Sequence, residues 1–68
     1  MEIDPKNAVQ WVVAWRWDDG VVWPLGYTMR QTRAYAISAF EKANHEDYRK
    51  LRKAGMAIAV KVRLELVP

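Results

Sequence analysis

The 68-residue sequence contains no cysteine and only one histidine, His45, so two common sources of stability in very small domains are missing. Without cysteine no disulfide can form, and a structural zinc site needs about four cysteine or histidine ligands. A chain of this length buries only about 60% of the surface that its unfolded form exposes. We therefore expect stability to come from close packing or from self-association.

Residue patterns that support catalysis are also scarce. The only serine, Ser38, lies in a predicted helix and has no histidine or carboxylate at a spacing that suits a nucleophile and its base. His45 stands alone beside acidic residues at a predicted helix start. The three glycines are isolated from one another, so no glycine-rich phosphate loop is present. We predict a non-catalytic protein that uses no metal ion and no cofactor.

Long hydrophobic runs are absent as well. No stretch approaches the roughly 20 apolar residues that a membrane-spanning helix needs. The N-terminal sequence MEIDPKNAVQ is too acidic and polar for a signal peptide. We expect one domain over residues 1 to 68, located in the cytoplasm and without contact with a membrane.

Aromatic residues, in contrast, are concentrated in one segment. All four tryptophans lie in WVVAWRWDDGVVW, residues 11 to 23. Residues 9 to 17 alternate with a period of two and are rich in valine and tryptophan, which is typical of a β-strand. The DDG sequence at residues 18 to 20 predicts a hairpin turn and accounts for the two adjacent carboxylates.

Two registers of this hairpin are compatible with the sequence. A two-residue turn would place Trp23 opposite Arg16, whereas a three-residue turn with a bulge at Gly20 would pair Trp15 with Trp23. We favour the bulged register, because aspartates followed by a left-handed glycine suit it and all four indoles then share one face.

The remainder of the chain predicts two helices and a third strand. Pro24 and Gly26 are expected to end the second strand. Helical spacing indicates a helix from residue 31 or 32 to residue 43, capped by either Thr28 or Thr32. Asn44 is expected to cap a second, short helix that Gly55 ends. Alternation from residue 56 onward then predicts a strand, including Glu65 and Leu66 near its end.

These elements define an α+β fold with the order β-β-α-α-β. We expect a three-stranded antiparallel sheet, with strand order 2-1-3, that has one longer and one short helix on one face. The helix is expected to lie close over the indoles through its small residues: Ala34, Ala36, Ala39 and Ala43. The opposite sheet face is expected to be small enough to pair with a second copy, through these residues: Val12, Ala14, Val22, Ala57 and Ala59.

Four indoles exceed what two short helices can cover. Trp11 and Trp15 are therefore expected in the core, where aromatic burial contributes most. Trp17 and Trp23 lie near the hairpin end. We expect them to form a contact surface, since tryptophan is a favoured interface anchor.

The chain has a net charge of +3, and its charged residues are unevenly distributed along the sequence. Residues 1 to 41 carry four basic and five acidic residues, whereas residues 42 to 68 carry seven basic and three acidic ones. The sequence YRKLRKAG concentrates four cations on the short helix: Arg49, Lys50, Arg52 and Lys53. They could attract phosphates or an acidic protein surface, although a solvated helix end that complements the helix dipole is the favoured explanation. A second basic patch is expected on the sheet, from Arg16, Lys61 and Arg63.

A resemblance to known proteins depends on the tryptophan-rich strand, the DDG turn and a set of residues from position 27 onward. The members of that set are Thr28, Arg30, Thr32-Arg33, AYAISAF, Leu51, Gly55 and VKV at 60 to 62. With this set the chain resembles a class of small phage and prophage proteins of unknown function, over most of its length. The resemblance implies no catalytic residues. It implies an accessory protein that acts in an infected bacterium by binding host machinery, a mode that anti-CRISPR inhibitors share.

The sequence thus favours a binding protein that occupies a surface of a larger host protein complex. The expected binding residues are three aromatic anchors and four steering cations: Trp17, Trp23, Tyr27, Arg49, Lys50, Arg52 and Lys53. One alternative is a nucleic-acid-binding module that uses the basic C-terminal part. Another is a homodimer with the tryptophans in its subunit interface.

Overall fold

A computed structural model of the chain describes residues 9 to 64. Its elements are β1 (Val9–Arg16), β2 (Val22–Arg30), α1 (Arg33–Asn44), α2 (Tyr48–Lys53) and β3 (Ala57–Arg63). The strands form an antiparallel sheet in the order β2-β1-β3, so the predicted α+β fold and its β-β-α-α-β topology are confirmed. The predicted single domain includes residues 1 to 8 and 65 to 68, which lie outside the described residues, as do Glu65 and Leu66 of the predicted third strand.

The hairpin between β1 and β2 has the bulged register favoured from the sequence. Trp17 O accepts the Gly20 N–H at 2.8 Å, and Trp17 N–H donates to Val21 O at 2.9 Å. Gly20 has a φ of 84°, a left-handed value that favours glycine. Trp15 accordingly lies opposite Trp23.

β2 is longer than predicted, since Pro24 and Gly26 lie inside it and do not end it. Proline is tolerated there because β2 is an edge strand of the sheet. Between the pairs Trp11–Arg30 and Val13–Leu25 the register shifts, so residues 26 to 29 of β2 stand against a single residue of β1.

Thr28 closes this irregular part of β2. Its side chain is completely buried, and its hydroxyl accepts the backbone N–H of Val13 at 2.8 Å and donates to Leu25 O at 2.6 Å. The hydroxyl therefore replaces ladder hydrogen bonds that the shifted register leaves unpaired. Thr28 was one of two residues expected to cap the first helix. Because its hydroxyl is used within the sheet, it does not cap that helix.

Local side chains set the helix boundaries. Thr32 caps α1, because its hydroxyl accepts the Tyr35 N–H at 3.2 Å. Asn44 was expected to cap α2, which is wrong: it is the last residue of α1, and its Nδ2 donates back to Phe40 O at 2.8 Å. The cap of α2 is instead Asp47, whose Oδ1 accepts the Arg49 N–H at 2.9 Å.

Gly55 follows α2 in the left-handed conformation expected of the residue that ends this helix, with a φ of 74°. α2 also contacts the outer side of β3. The Tyr48 side chain is buried, and its hydroxyl accepts the backbone N–H of Ala59 at 3.0 Å. Ala59 N–H therefore points away from β1 and towards α2.

The core lies between the sheet and the helices. Its buried members are Val13, Phe40, Tyr48, Ala57 and Ala59, and half-buried side chains pack against them: Trp11, Trp15, Leu25, Ile37 and Leu51. Trp11 and Trp15 thus pack on the core as expected. The predicted alanine face of α1 is only partly right, because Ala36 is buried but Ala34 and Ala43 are exposed.

The faces of β3 are the reverse of those predicted. In the observed register Val13 lies opposite Ala59 and Trp15 lies opposite Ala57, and directly opposed residues point to the same face of a sheet. Ala57 and Ala59 therefore face the helices, where their small side chains leave room for Phe40. A shift of one residue in register exchanges the two faces, which is why alternation alone did not determine the orientation.

Candidate functional site

α1 lies between two clefts on the helical side of the sheet. The cleft between α1 and the hairpin, here called the aromatic cleft, has a volume of about 450 Å³ and is lined by Trp15, Trp17, Leu25, Tyr27, Phe40, Asn44 and Glu46. The cleft between α1 and α2, here called the basic cleft, has a volume of about 630 Å³ and is lined by Arg33, Ile37, Glu41, Asp47, Tyr48, Arg49, Arg52 and Lys53. Two of the predicted aromatic anchors, Trp17 and Tyr27, and three of the four predicted cations are thus on opposite sides of α1.

The floor of the aromatic cleft is formed by two packed rings. Trp15 of β1 and Phe40 of α1 have ring centroids 6.2 Å apart and planes inclined by 32°. Phe40 is only 1% exposed, so the floor belongs to the core of the protein. Aromatic pairs at this separation stabilise a fold beyond their buried area.

One wall of the cleft is Tyr27, which β2 presents towards the end of α1. The Tyr27 hydroxyl accepts a hydrogen bond of 2.7 Å from Asn44 Nδ2, and the same amide donates to Phe40 O. Both amide hydrogens of Asn44 are therefore used, and Tyr27 is fixed across the end of the cleft. Trp17, in the residues that follow β1, also lines the cleft.

The three predicted aromatic anchors lie together on the helical side of the hairpin. Trp17, Trp23 and Tyr27 are 52%, 63% and 50% exposed. Trp23 lies directly opposite Trp15, so its side chain shares the face that carries the aromatic cleft. We call this group of Trp17, Trp23 and Tyr27 the aromatic surface. The predicted division into core and exposed tryptophans is confirmed.

The basic cleft contains three of the four predicted cations, because Lys50 is exposed but does not line it. Arg33 adds a fourth cation, with its guanidinium 5.8 Å from the ring centroid of Tyr48. The carboxylates of Glu41 and Asp47 also line the cleft, and both accept backbone N–H groups at the start of α2. Glu41 accepts the Tyr48 N–H at 3.1 Å, in addition to the Asp47 cap. These carboxylates reduce the attraction of the cleft for anions.

Sequence reasoning missed several residues of both clefts. Arg33, Ile37 and Glu41 follow one another at intervals of four along α1, a spacing that places them on one helix face. That spacing could have identified them as a wall of the basic cleft. Asn44 and Glu46 were missed because both were assigned to the start of α2.

The predicted basic patch of Arg16, Lys61 and Arg63 is only partly right, because Lys61 and Arg63 share one face of β3 but Arg16 points to the other face of the sheet. Lys61 lies opposite Trp11 on the helical side, and its ammonium group is 5.6 Å from the centroid of the Trp11 ring. Arg16 lies opposite Val22, in the alternating row of β1 that points to the other face. The two cations are therefore separated by the sheet.

The face of the sheet opposite the helices differs from the expected small-residue surface. Val12 and Ala14 are buried there, whereas Val22, Met56 and Ile58 are exposed. Met56, just before β3, and Ile58 within it occupy the face that the prediction gave to Ala57 and Ala59. Any sheet packing between two copies would involve these larger side chains.

Within residues 9 to 64, no group of three or more histidine or acidic side chains is arranged to hold a metal ion. In the same range, the helices are too short and too polar for one of them to cross a membrane. Comparisons with protein-family models, with curated proteins and with solved structures found no match.

Proposed function

We propose that this protein is a non-catalytic binding module that recognises another protein through its aromatic surface. The observation that carries the proposal is the joint exposure of Trp17, Trp23 and Tyr27 on one face. Exposed indoles of this kind are costly in water and are enriched among the residues that dominate protein interfaces. Their position on a hairpin supported by the core also limits the entropy lost on binding.

The partner we propose is a surface of a larger host protein complex. The resemblance to small phage accessory proteins supports this setting, and inhibition of a bacterial defence complex in the manner of anti-CRISPR proteins is the most specific form of the proposal. Inhibition would then result from occupation of a surface. The cations of α2, including Arg49 and Lys53, would accelerate the encounter with an acidic partner.

Capture of partners from bacterial lysate, with nuclease present, tests the proposal. We expect the tagged protein to retain a stoichiometric protein partner, and the variant Trp23→Ala to lose it. Tyr35→Ala is a matched control, because Tyr35 is 67% exposed on α1 but lies outside the aromatic cleft. Equal capture by the wild type and by Trp23→Ala would refute the proposal, provided that both have the same thermal stability.

Nucleic acid binding is a second candidate, because four cations converge on the basic cleft. The two carboxylates in that cleft and the separation of Lys61 from Arg16 make it the weaker candidate. Filter binding across a salt series distinguishes the two functions. Phosphate contacts predict an affinity that falls steeply with salt concentration, with a log–log slope of about −0.9 per phosphate contacted. A flat response would exclude this candidate.

A further inference from the structure

The aromatic cleft has the composition of a site for an organic cation. Most of its lining consists of aromatic rings, and its only charged residue is Glu46. The faces of aromatic rings attract cations electrostatically, and indole does so most strongly. Glu46 makes no ion pair within residues 9 to 64, so no cation of the described chain neutralises it.

We propose that the aromatic cleft binds an arginine side chain presented by the partner protein; this inference rests on the proposed function. Guanidinium is planar and weakly hydrated, so it stacks on aromatic faces at a lower desolvation cost than an ammonium group. Its delocalised fork also pairs with a carboxylate through two parallel hydrogen bonds. The arrangement of rings around one carboxylate therefore suits arginine better than lysine.

Hydrogen-bond acceptors at the rim agree with this assignment. Guanidinium has five N–H donors and no acceptor, so its site must supply acceptors only. Because both amide hydrogens of Asn44 are used by Tyr27 and Phe40, the part of Asn44 left for a ligand is its Oδ1. Asn44 Oδ1 and the Glu46 carboxylate are thus two acceptors on the lining of one cleft.

The cleft is also formed in advance of binding. The hydrogen bond between Asn44 and Tyr27 fixes one wall, and the packed pair of Trp15 and Phe40 fixes the floor. A volume of about 450 Å³ lies within the range of about 300–1,000 Å³ found for ligand pockets. A side chain that enters a formed pocket loses less binding energy to reorganisation of the protein.

The distribution of charge around the cleft favours a cation over an anion. Asp18 and Asp19 follow the lining residue Trp17 directly in the hairpin turn. Arginine and lysine are absent from the lining, and four of them line the basic cleft on the other side of α1. An acidic and aromatic site beside a basic one gives the partner a charge pattern by which to orient itself.

A titration followed by ¹H–¹⁵N NMR tests the proposal on the full chain. The probes are N-acetyl-arginine amide and N-acetyl-citrulline amide, which match in shape but differ in charge. We expect millimolar arginine amide to shift the Trp17 indole N–H and the Asn44 side-chain amide, while the citrulline amide leaves them unchanged. Glu46→Gln should weaken arginine binding about threefold to fivefold, the size expected for an exposed ion pair.

Two further variants separate the cleft from the rest of the surface. Tyr27→Ala should abolish the response, and Tyr35→Ala should leave it intact. Trp23→Ala should retain arginine binding, because Trp23 does not line the cleft. The dispersion of each spectrum shows directly whether the variant is folded.

The proposal is overturned if the citrulline amide produces the same shifts, or if Glu46→Gln binds arginine amide as tightly as the wild type. Either result would remove the charge pairing between the guanidinium and the Glu46 carboxylate on which the proposal depends. It would leave the proposed function standing if Trp23→Ala still loses the captured partner. Conversely, arginine binding with unchanged partner capture by Trp23→Ala would refute the proposed function alone.

Discussion

Replacement of Thr28 by valine is the sharpest test of how β2 is attached to β1. Valine matches the shape of threonine but removes the hydroxyl, so the Val13 N–H and the Leu25 C=O both lose their partner. A buried polar group without a partner costs about 1–3 kcal/mol. Thr28 and Val13 are completely buried and Leu25 is half-buried, so we expect a total loss of about 2–4 kcal/mol.

The expected loss is large for a domain of this size. Stability of about 0.05–0.15 kcal/mol per residue gives about 3–10 kcal/mol for the whole chain. Since 1 kcal/mol shifts the Tm of such a small domain by about 4–8 °C, Thr28→Val should melt at least about 8 °C below the wild type. Urea unfolding followed by tryptophan fluorescence should show a lower midpoint with an unchanged slope.

Thr28→Ser is the matched control, because serine keeps the hydroxyl and removes only a buried methyl group. It should cost about 1 kcal/mol, which is the value of one buried methyl group. A valine variant that is as stable as the wild type, or more stable than the serine variant, would show that the hydroxyl does not join the two strands.

Three further substitutions test the turns and caps by thermal unfolding. Gly20→Ala should lower stability by about 1–2 kcal/mol, because Gly20 has a φ of 84° while a Cβ there would meet no atom within 4 Å; an unchanged Tm would contradict the bulged turn. His45→Gly should raise stability by up to about 1 kcal/mol, because His45 has a φ of 53° at the end of α1; a lower Tm would refute this assignment. Asp47→Ala should cost about 1 kcal/mol through loss of the α2 cap; an unchanged Tm would show that the Asp47 side chain does not cap α2.

The features that could be predicted from the sequence depend on neighbouring residues. The bulged turn follows from Asp19 and Gly20, whose conformational preferences act within the hairpin. The expected exposure of Trp17 and Trp23 followed from their position near the hairpin end. The cap at Thr32 was one of two local alternatives, and the hydrogen bonds of the buried Thr28 hydroxyl within the sheet decided between them.

The features that could not be predicted depend on contacts between distant residues. The length of β2 is set by a hydrogen bond from Val13 to Thr28, fifteen positions away. The orientation of β3 is set by its register with β1 and by the space that Tyr48 needs beside Ala59. Asn44 became part of the candidate site only because α1 extends to it, a boundary that two good capping residues left open.

The hydrogen bond from Ala59 to Tyr48 also has a consequence for behaviour at high concentration. β3 is an edge strand, and the unpaired N–H groups of an edge are a template on which other chains can add as strands. Tyr48 occupies one such position from a helix of only six residues. Local opening of α2 would free this N–H without global unfolding. A more stable α2 should therefore slow aggregation of the folded protein even at an unchanged melting temperature.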